Sequence, residues 1–348
     1  MFTSSIFTSS GRLNSWLKAS GFVLCAGLLH AAPAQPPGWI SAPMVGLFAS
    51  QDGTAITAIV GVPGASILVD PLVLPQGVTR VHLGPTQQWA LVEQVSGTPF
   101  SYKALGLMGF TGAQPGTVEL IKGALPAPDL VSFSPTGASA ILLDRASGQL
   151  QVIGGLNKTP GVVMETSVSD MNPSSIAAIA INDAGTLPVV EDGNGRMLLA
   201  SGGSSRPMIF AGYPSAGMAF LPNQSLIAVA DVNSGKVWMV GVLPTAPPAR
   251  VVASIAAVSG AQGLVRTSSD ARFLFVAAAG GKSAVRVDLS DGGMTELDLP
   301  TTSSALEQLG DGQVFLISAP PGESAWMLVS DGSGLKAVFA APSGQPGQ

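Results

Sequence analysis

The sequence predicts an all-β fold, a seven-bladed β-propeller of four-stranded antiparallel blades. A short device occurs seven times between Ser50 and Gly322: a turn, an apolar strand of about six residues, and a second turn centred on glycine. The two turns of each device lie ten or eleven residues apart, whereas successive devices are 34, 50, 48, 39, 47 and 41 residues apart. A fixed hairpin with variable outer connections, repeating every 40 to 50 residues, has the length of a propeller blade.

The first turns centre on Gly53, Gln87, Gly137, Gly185, Gln224, Ala271 and Gly312. The second turns centre on Gly64, Gly97, Gly148, Gly195, Gly235, Gly281 and Gly322. Each unit reads as strands A to D. In the third, A is LVSFS, B is AILLD, C is QLQVIG, and D lies near GVVMET, Gly161 to Thr166. The fifth repeats the plan as GMAFL, LIAVAD, KVWMVG and RVVASI. Pro, Gly, Asn, Asp and Ser fill the turns, because they tolerate positive φ or preset a turn.

Alignment on the first turn exposes a period of two in strand A. Six places before it stand Leu47, Val81, Val131, Ile179, Met218, Val265 and Leu306, all apolar. Five places before it stand Phe48, His82, Ser132, Ala180, Ala219, Arg266 and Glu307, a register that varies freely. Strand A is innermost in a propeller, so this variable register is expected near the central channel.

The repeat ends bound the rest of the chain. Arg12 and Lys18 precede the apolar run Ala19 to Leu29, which is followed by Ala32-Pro33-Ala34. This succession predicts a signal peptide over residues 1–34, cleaved after Ala34. Eleven apolar residues are too few to span a bilayer, so no membrane span is expected after cleavage. Residues 35–43 form a segment whose GWISAP could clasp the ring beside KAVFAA, residues 44–342 form the propeller, and 343–348 form a tail. The destination expected is periplasmic or secreted. Cys25, the only cysteine, leaves with the signal peptide, and the formal charge moves from 16 − 21 = −5 to 14 − 21 = −7. The mature domain must then hold together by core burial alone.

Only 11% of the residues are charged, and no basic face is present to meet a nucleic acid. After the signal peptide His82 is the only histidine, which excludes haem or zinc chemistry resting on several histidines. No cofactor or metal is expected. EDGNGR, Glu191 to Arg196, lacks the spacing of an EF-hand loop, and Trp89, Trp238 and Trp326 fit the space between blades. Asn157-Lys158-Thr159 matches a glycosylation acceptor that matters only in a eukaryotic secretory pathway.

The stretches from Phe133 to Gly154 and from Thr267 to Leu289 resemble the repeats of YVTN and lactonase-like seven-bladed propellers, in which a Ser-Pro-Asp-Gly turn precedes a Tyr-Val-Ala-Asn strand end. Here LLDR, VVED, VADV and FVAA stand where that strand end would. The resemblance implies a propeller, often exported, that serves as a binding or surface module and sometimes as a hydrolase.

Two constellations could carry chemistry. Four residues before the second turn stand Glu93, Asp144, Glu191 and Asp231, in four consecutive blades, with Asp192 beside the third. They would form an acidic crescent on the face of the second turns, able to bind a cation, a basic partner or a sugar, or they would serve as turn acceptors. The channel candidates are Arg80, His82, Arg266 and Glu307. They could hold an anionic substrate and move a proton, or Arg266 and Glu307 could neutralise each other as a structural pair. The reading that follows is a binding module working through that face and the channel mouth, with a protein or carbohydrate partner. A lactonase-like hydrolase and a structural subunit of an envelope complex are the alternatives.

Overall fold

The computed structural model describes residues 43–50, 52–96, 102–200, 208–211, 217–231, 234–243, 249–255, 263–310, 312–320, 323–332 and 334–342. The expected signal peptide, residues 38–42 of the expected clasp, the tail 343–348 and the turn centres Gly97 and Gly322 lie outside them.

Seven blades surround one axis, built from five four-stranded sheets and one seven-stranded sheet that blades 1 and 7 share. Blade 1 comprises β1 (Met44–Ala49), β2 (Ile56–Val62) and β3 (Ala65–Leu68). Blade 2 comprises β4 (Val78–Leu83), β5 (Trp89–Ser96), β6 (Tyr102–Thr111) and β7 (Gln114–Leu120). Blade 3 comprises β8 (Leu130–Phe133), β9 (Ala140–Asp144), β10 (Gln149–Gly154) and β11 (Gly161–Ser167). Blade 4 follows two short 3-10 turns and comprises β12 (Ala178–Ala180), β13 (Val189–Glu191), β14 (Arg196–Leu199) and β15 (Met208–Ala211). Blade 5 comprises β16 (Gly217–Phe220), β17 (Leu226–Asp231), β18 (Lys236–Gly241) and β19 (Arg250–Ser254). Blade 6 comprises β20 (Gly263–Thr267), β21 (Phe273–Ala278), β22 (Ser283–Asp288) and β23 (Met294–Asp298). Blade 7 comprises β24 (Glu307–Leu309), β25 (Val314–Ser318), β26 (Ala325–Asp331) and β27 (Gly334–Ala341). No helix among the described residues is long and apolar enough to cross a membrane.

The second strands carry continuous apolar runs rather than alternating, as in Ala140–Leu143, Ile227–Ala230 and Phe273–Ala278, and the packing explains it. Seven apolar clusters fill the seven interfaces between neighbouring blades. In β21, Leu274, Val276 and Ala278 pack towards blade 5, while Phe275 and Ala277 pack towards blade 7. Both faces of such a strand are buried, so periodicity gives way to a continuous apolar run. Aromatic pairs sit in the same wedges, among them Trp89 against Phe133 at 5.3 Å and Phe275 against Phe315 at 4.4 Å between ring centroids.

Turn chemistry follows the sequence with two exceptions among the described turns: in the second turn of blade 6 the Gly281 amide closes the turn to the Ala278 carbonyl while Gly280 is the left-handed residue, and the first turn of blade 5 shows the same shift. Gly53, Gln87, Gly137, Gly185, Ala271 and Gly312 all have positive φ. In blade 5 the turn hydrogen bond still closes from the Gln224 amide to the Leu221 carbonyl, but the left-handed residue is Asn223. Asparagine tolerates that conformation better than glutamine, and the turn type changes accordingly. One carboxylate ties three first turns together: Asp183 of blade 4 accepts the Thr136 amide of blade 3 at 2.8 Å and the Asn223 amide of blade 5 at 2.7 Å.

Blade 1 departs from the four-stranded plan. It has three strands of its own, and its sheet continues into blade 7 through β27. That strand pairs antiparallel with β26 along its length and parallel with β3 at Ala340 opposite Ser66 and Ala341 opposite Ile67. The sequence allows GWISAP beside KAVFAA. That pairing lies outside the described residues; Pro43, the one described residue of the segment, accepts the Gly61 amide at 2.7 Å, in line with β1 at the inner end of the blade.

Candidate functional site

The inner strands surround an axial cavity of about 310 Å³. Six of the seven residues of the variable register line it: His82, Ser132, Ala180, Ala219, Arg266 and Glu307. Phe48 does not. It joins the apolar cluster of Ile59, Leu309 and Leu316 between blades 1 and 7, where an aromatic ring is removed from water, and blade 1 lines the cavity with Leu47 and Ala49. The lining runs on to Ser50, Pro85 and Pro135, so the cavity reaches the face of the first turns.

Arg266 and Glu307 project from adjacent inner strands into this space. Each exposes surface to the cavity, which admits water, yet protein surrounds both around the axis. Arg266 donates from Nη1 to its neighbour's carbonyl, Val265, at 2.8 Å. Among the described residues Glu307 has no side-chain hydrogen bond, and no ion pair joins it to Arg266. The two act on each other through space. Burial pushes the Glu307 carboxyl above its ordinary range, against the pull of Arg266. Burial likewise lowers Arg266, against the support of Glu307.

Across the cavity stands a connected group. His82 Nε2 lies 3.1 Å from Glu93 Oε1, and Arg80 Nη1 lies 3.8 Å from the same oxygen. The ladder between β4 and β5 makes this contact: Arg80 sits opposite Glu93 and His82 opposite Leu91, so both basic side chains share a face with the carboxylate. In the neutral tautomer that donates Nε2–H to the carboxylate, Nδ1 is an acceptor. Sequence reasoning divided these residues between the channel and the crescent. Hairpin arithmetic about Gln87 carries the missing signal, because it pairs position 80 with 93.

The remaining carboxylates of the expected crescent sit within their own blades. Asp144 accepts the Ala146 amide at 2.9 Å and the Ser147 hydroxyl at 2.9 Å, as a turn acceptor does. Asp231 accepts the Ser234 amide at 3.1 Å and is buried, and Glu191 is buried completely. Burial of Asp192 raises its pKa, but hydrogen bonds from Arg196 and from the amides of Arg196 and Asn194 outweigh this and hold it low. Among the described residues, no group of three or more His, Cys, Asp or Glu side chains is arranged to hold a metal ion.

Fold and site together define a β-propeller with a charged axial cavity. No protein-family model and no curated sequence matches the chain. Solved structures do match it. The periplasmic gluconolactonase of Pseudomonas aeruginosa is 16% identical with a TM-score of 0.55, covering 86% of this chain and 96% of its own. A candidate 6-phosphogluconolactonase from Bacteroides uniformis is 12% identical with a TM-score of 0.53, covering 86% and 96%. A chain of the Mitotic Checkpoint Complex is 9% identical with a TM-score of 0.50, covering 94% and 89%. Identities this low establish the propeller fold and leave activity to the site itself.

Proposed function

We propose that this chain is an exported binding module that takes a small polar ligand in its axial cavity. The observation that carries the reading is the meeting of two opposite charges, Arg266 and Glu307, in one axial cavity without an ion pair between them. Charged groups that face a narrow cavity without protein partners for most of their donors and acceptors are open to a ligand that supplies those contacts in place of water. Native mass spectrometry of the purified protein, followed by denaturation and analysis of released small molecules, tests it. A bound molecule absent from the Arg266→Gln protein is the expected result. Identical small-molecule content in the two proteins overturns the reading.

A second reading, a lactonase-like hydrolase of the YVTN kind, rests on the contact between His82 and Glu93. A carboxylate that orients an imidazole beside a cavity is half of a general-base arrangement. The gluconolactonase likeness is compatible with it. A panel of esters and lactones decides: turnover that falls about a hundredfold in His82→Gln supports the hydrolase. Absence of turnover on every member removes it.

A further inference from the structure

Resting on the cavity reading, we infer that the ligand is a small zwitterion of the amino-acid kind, whose carboxylate meets Arg266 and whose ammonium meets Glu307. The argument begins from which cavity charges are already engaged. On blade 2, Arg80 and His82 both lie against Glu93, so that group is internally matched. On blades 6 and 7 the situation differs. Arg266 gives one N–H to the Val265 carbonyl, and its remaining donors have no acceptor among the described residues. The planar guanidinium fork suits a carboxylate held by two parallel bonds. Glu307 offers a carboxylate with no donor from the described protein.

Net charge narrows the class further. A simple carboxylic acid on Arg266 would place a second negative charge beside Glu307. A simple amine on Glu307 would place a second positive charge beside Arg266. Like charges brought together in a narrow cavity walled by protein repel more than they would in bulk water. A molecule bearing both groups satisfies both side chains and leaves the charge of the cavity unchanged. Its ammonium also favours the ionised form of Glu307, which burial otherwise resists. Size is compatible, since about 310 Å³ accommodates a compact molecule and excludes a polymer.

The test titrates the full-length protein at neutral pH with each of the common amino acids, read by calorimetry. Any amino acid that binds is compared with the hydroxy acid and the amine carrying the same side chain. The expected result is that at least one amino acid binds, and that both analogues bind at least tenfold more weakly. Glu307→Gln and Arg266→Gln should each weaken the amino acid by at least tenfold. Circular dichroism confirms that the variants fold, and Arg266→Lys, which keeps the charge and loses the fork, serves if Arg266→Gln does not. Binding of hydroxy acids or sugars as tight as that of amino acids, and dependent on Arg266, overturns the zwitterion while leaving the cavity reading intact. Failure of every amino acid also overturns it. If a bound molecule persists unchanged in Arg266→Gln, both readings fall together.

Discussion

Gln87 pairs with Leu47 as one strand pairs with another: its side-chain Nε2 donates to the Leu47 carbonyl at 2.6 Å and its Oε1 accepts the Leu47 amide at 2.7 Å. The same Nε2 reaches the Gln308 carbonyl at 2.8 Å. A side chain from the first turn of blade 2 thus holds the inner strands of blades 1 and 7. At this point the ring is closed for the second time, beside the axis rather than at the rim.

Replacing Gln87 by Ala should destabilise the protein by about 1–3 kcal/mol, the cost of leaving buried backbone groups unpaired. Denaturant unfolding measures it. Gly46→Ala should also destabilise, because its new Cβ would stand 2.6 Å from Gln87 Oε1 and 2.9 Å from Leu309 Cβ. The double variant should lose less than the sum, since truncating Gln87 opens part of that space. Additive losses would show that the clasp and the glycine are independent.

Glu307→Gln should raise the melting temperature at pH 7 and have little effect near pH 4. Burial raises the folded-state pKa of Glu307 above the ordinary value of a glutamate. Its protonated form is therefore the one the fold favours. That contribution is full below the unfolded value and is lost as pH rises through the folded one, whereas Gln is never ionised. Thermal scans across that range check the sign, and a loss of stability at pH 7 would contradict it.

Asp192→Asn should do the opposite. The folded-state pKa of Asp192 lies below the ordinary value of an aspartate, so its stabilising contribution is present above that ordinary value and disappears as pH falls through the folded one. The variant should be less stable than wild type at pH 7 and approach it at acid pH, as the carboxylate becomes protonated in the fold. Parallel loss at both pH values would mean that packing, not the pairing with Arg196, is what the carboxylate supplies.

Intact mass of the protein from its native host should show a chain beginning at Gln35, if the basic, apolar and small-residue succession is an export signal. A species retaining residues 1–29 would refute it.

The fold was legible because a propeller writes itself locally. Each hairpin needs a left-handed residue at its turn and an apolar run beside it, and both are visible in a short window, as Gly137 with AILLD shows. Channel residues were legible through alignment, which put Arg266 and Glu307 at the same register. Phe48 broke that register because a side chain's destination depends on what lies across the blade interface, and sequence does not state that neighbour directly. The Arg80, His82 and Glu93 group went unseen because its members were read from two separate alignments. The missing fourth strand of blade 1 was hidden for a related reason. Its place at the rim is filled in part by β27, whose residues stand far away in sequence.

That pairing has a temporal consequence. Ser66 and Ala340 are separated by 340 − 66 = 274 positions, so the contact at the rim carries one of the largest loop-closure costs in the chain. Until β27 emerges from the ribosome, β3 waits with an uncovered edge, the kind that recruits foreign strands. Among the described strands the final one thus shields the third, and the edge of β3 stays open for the whole interval between them.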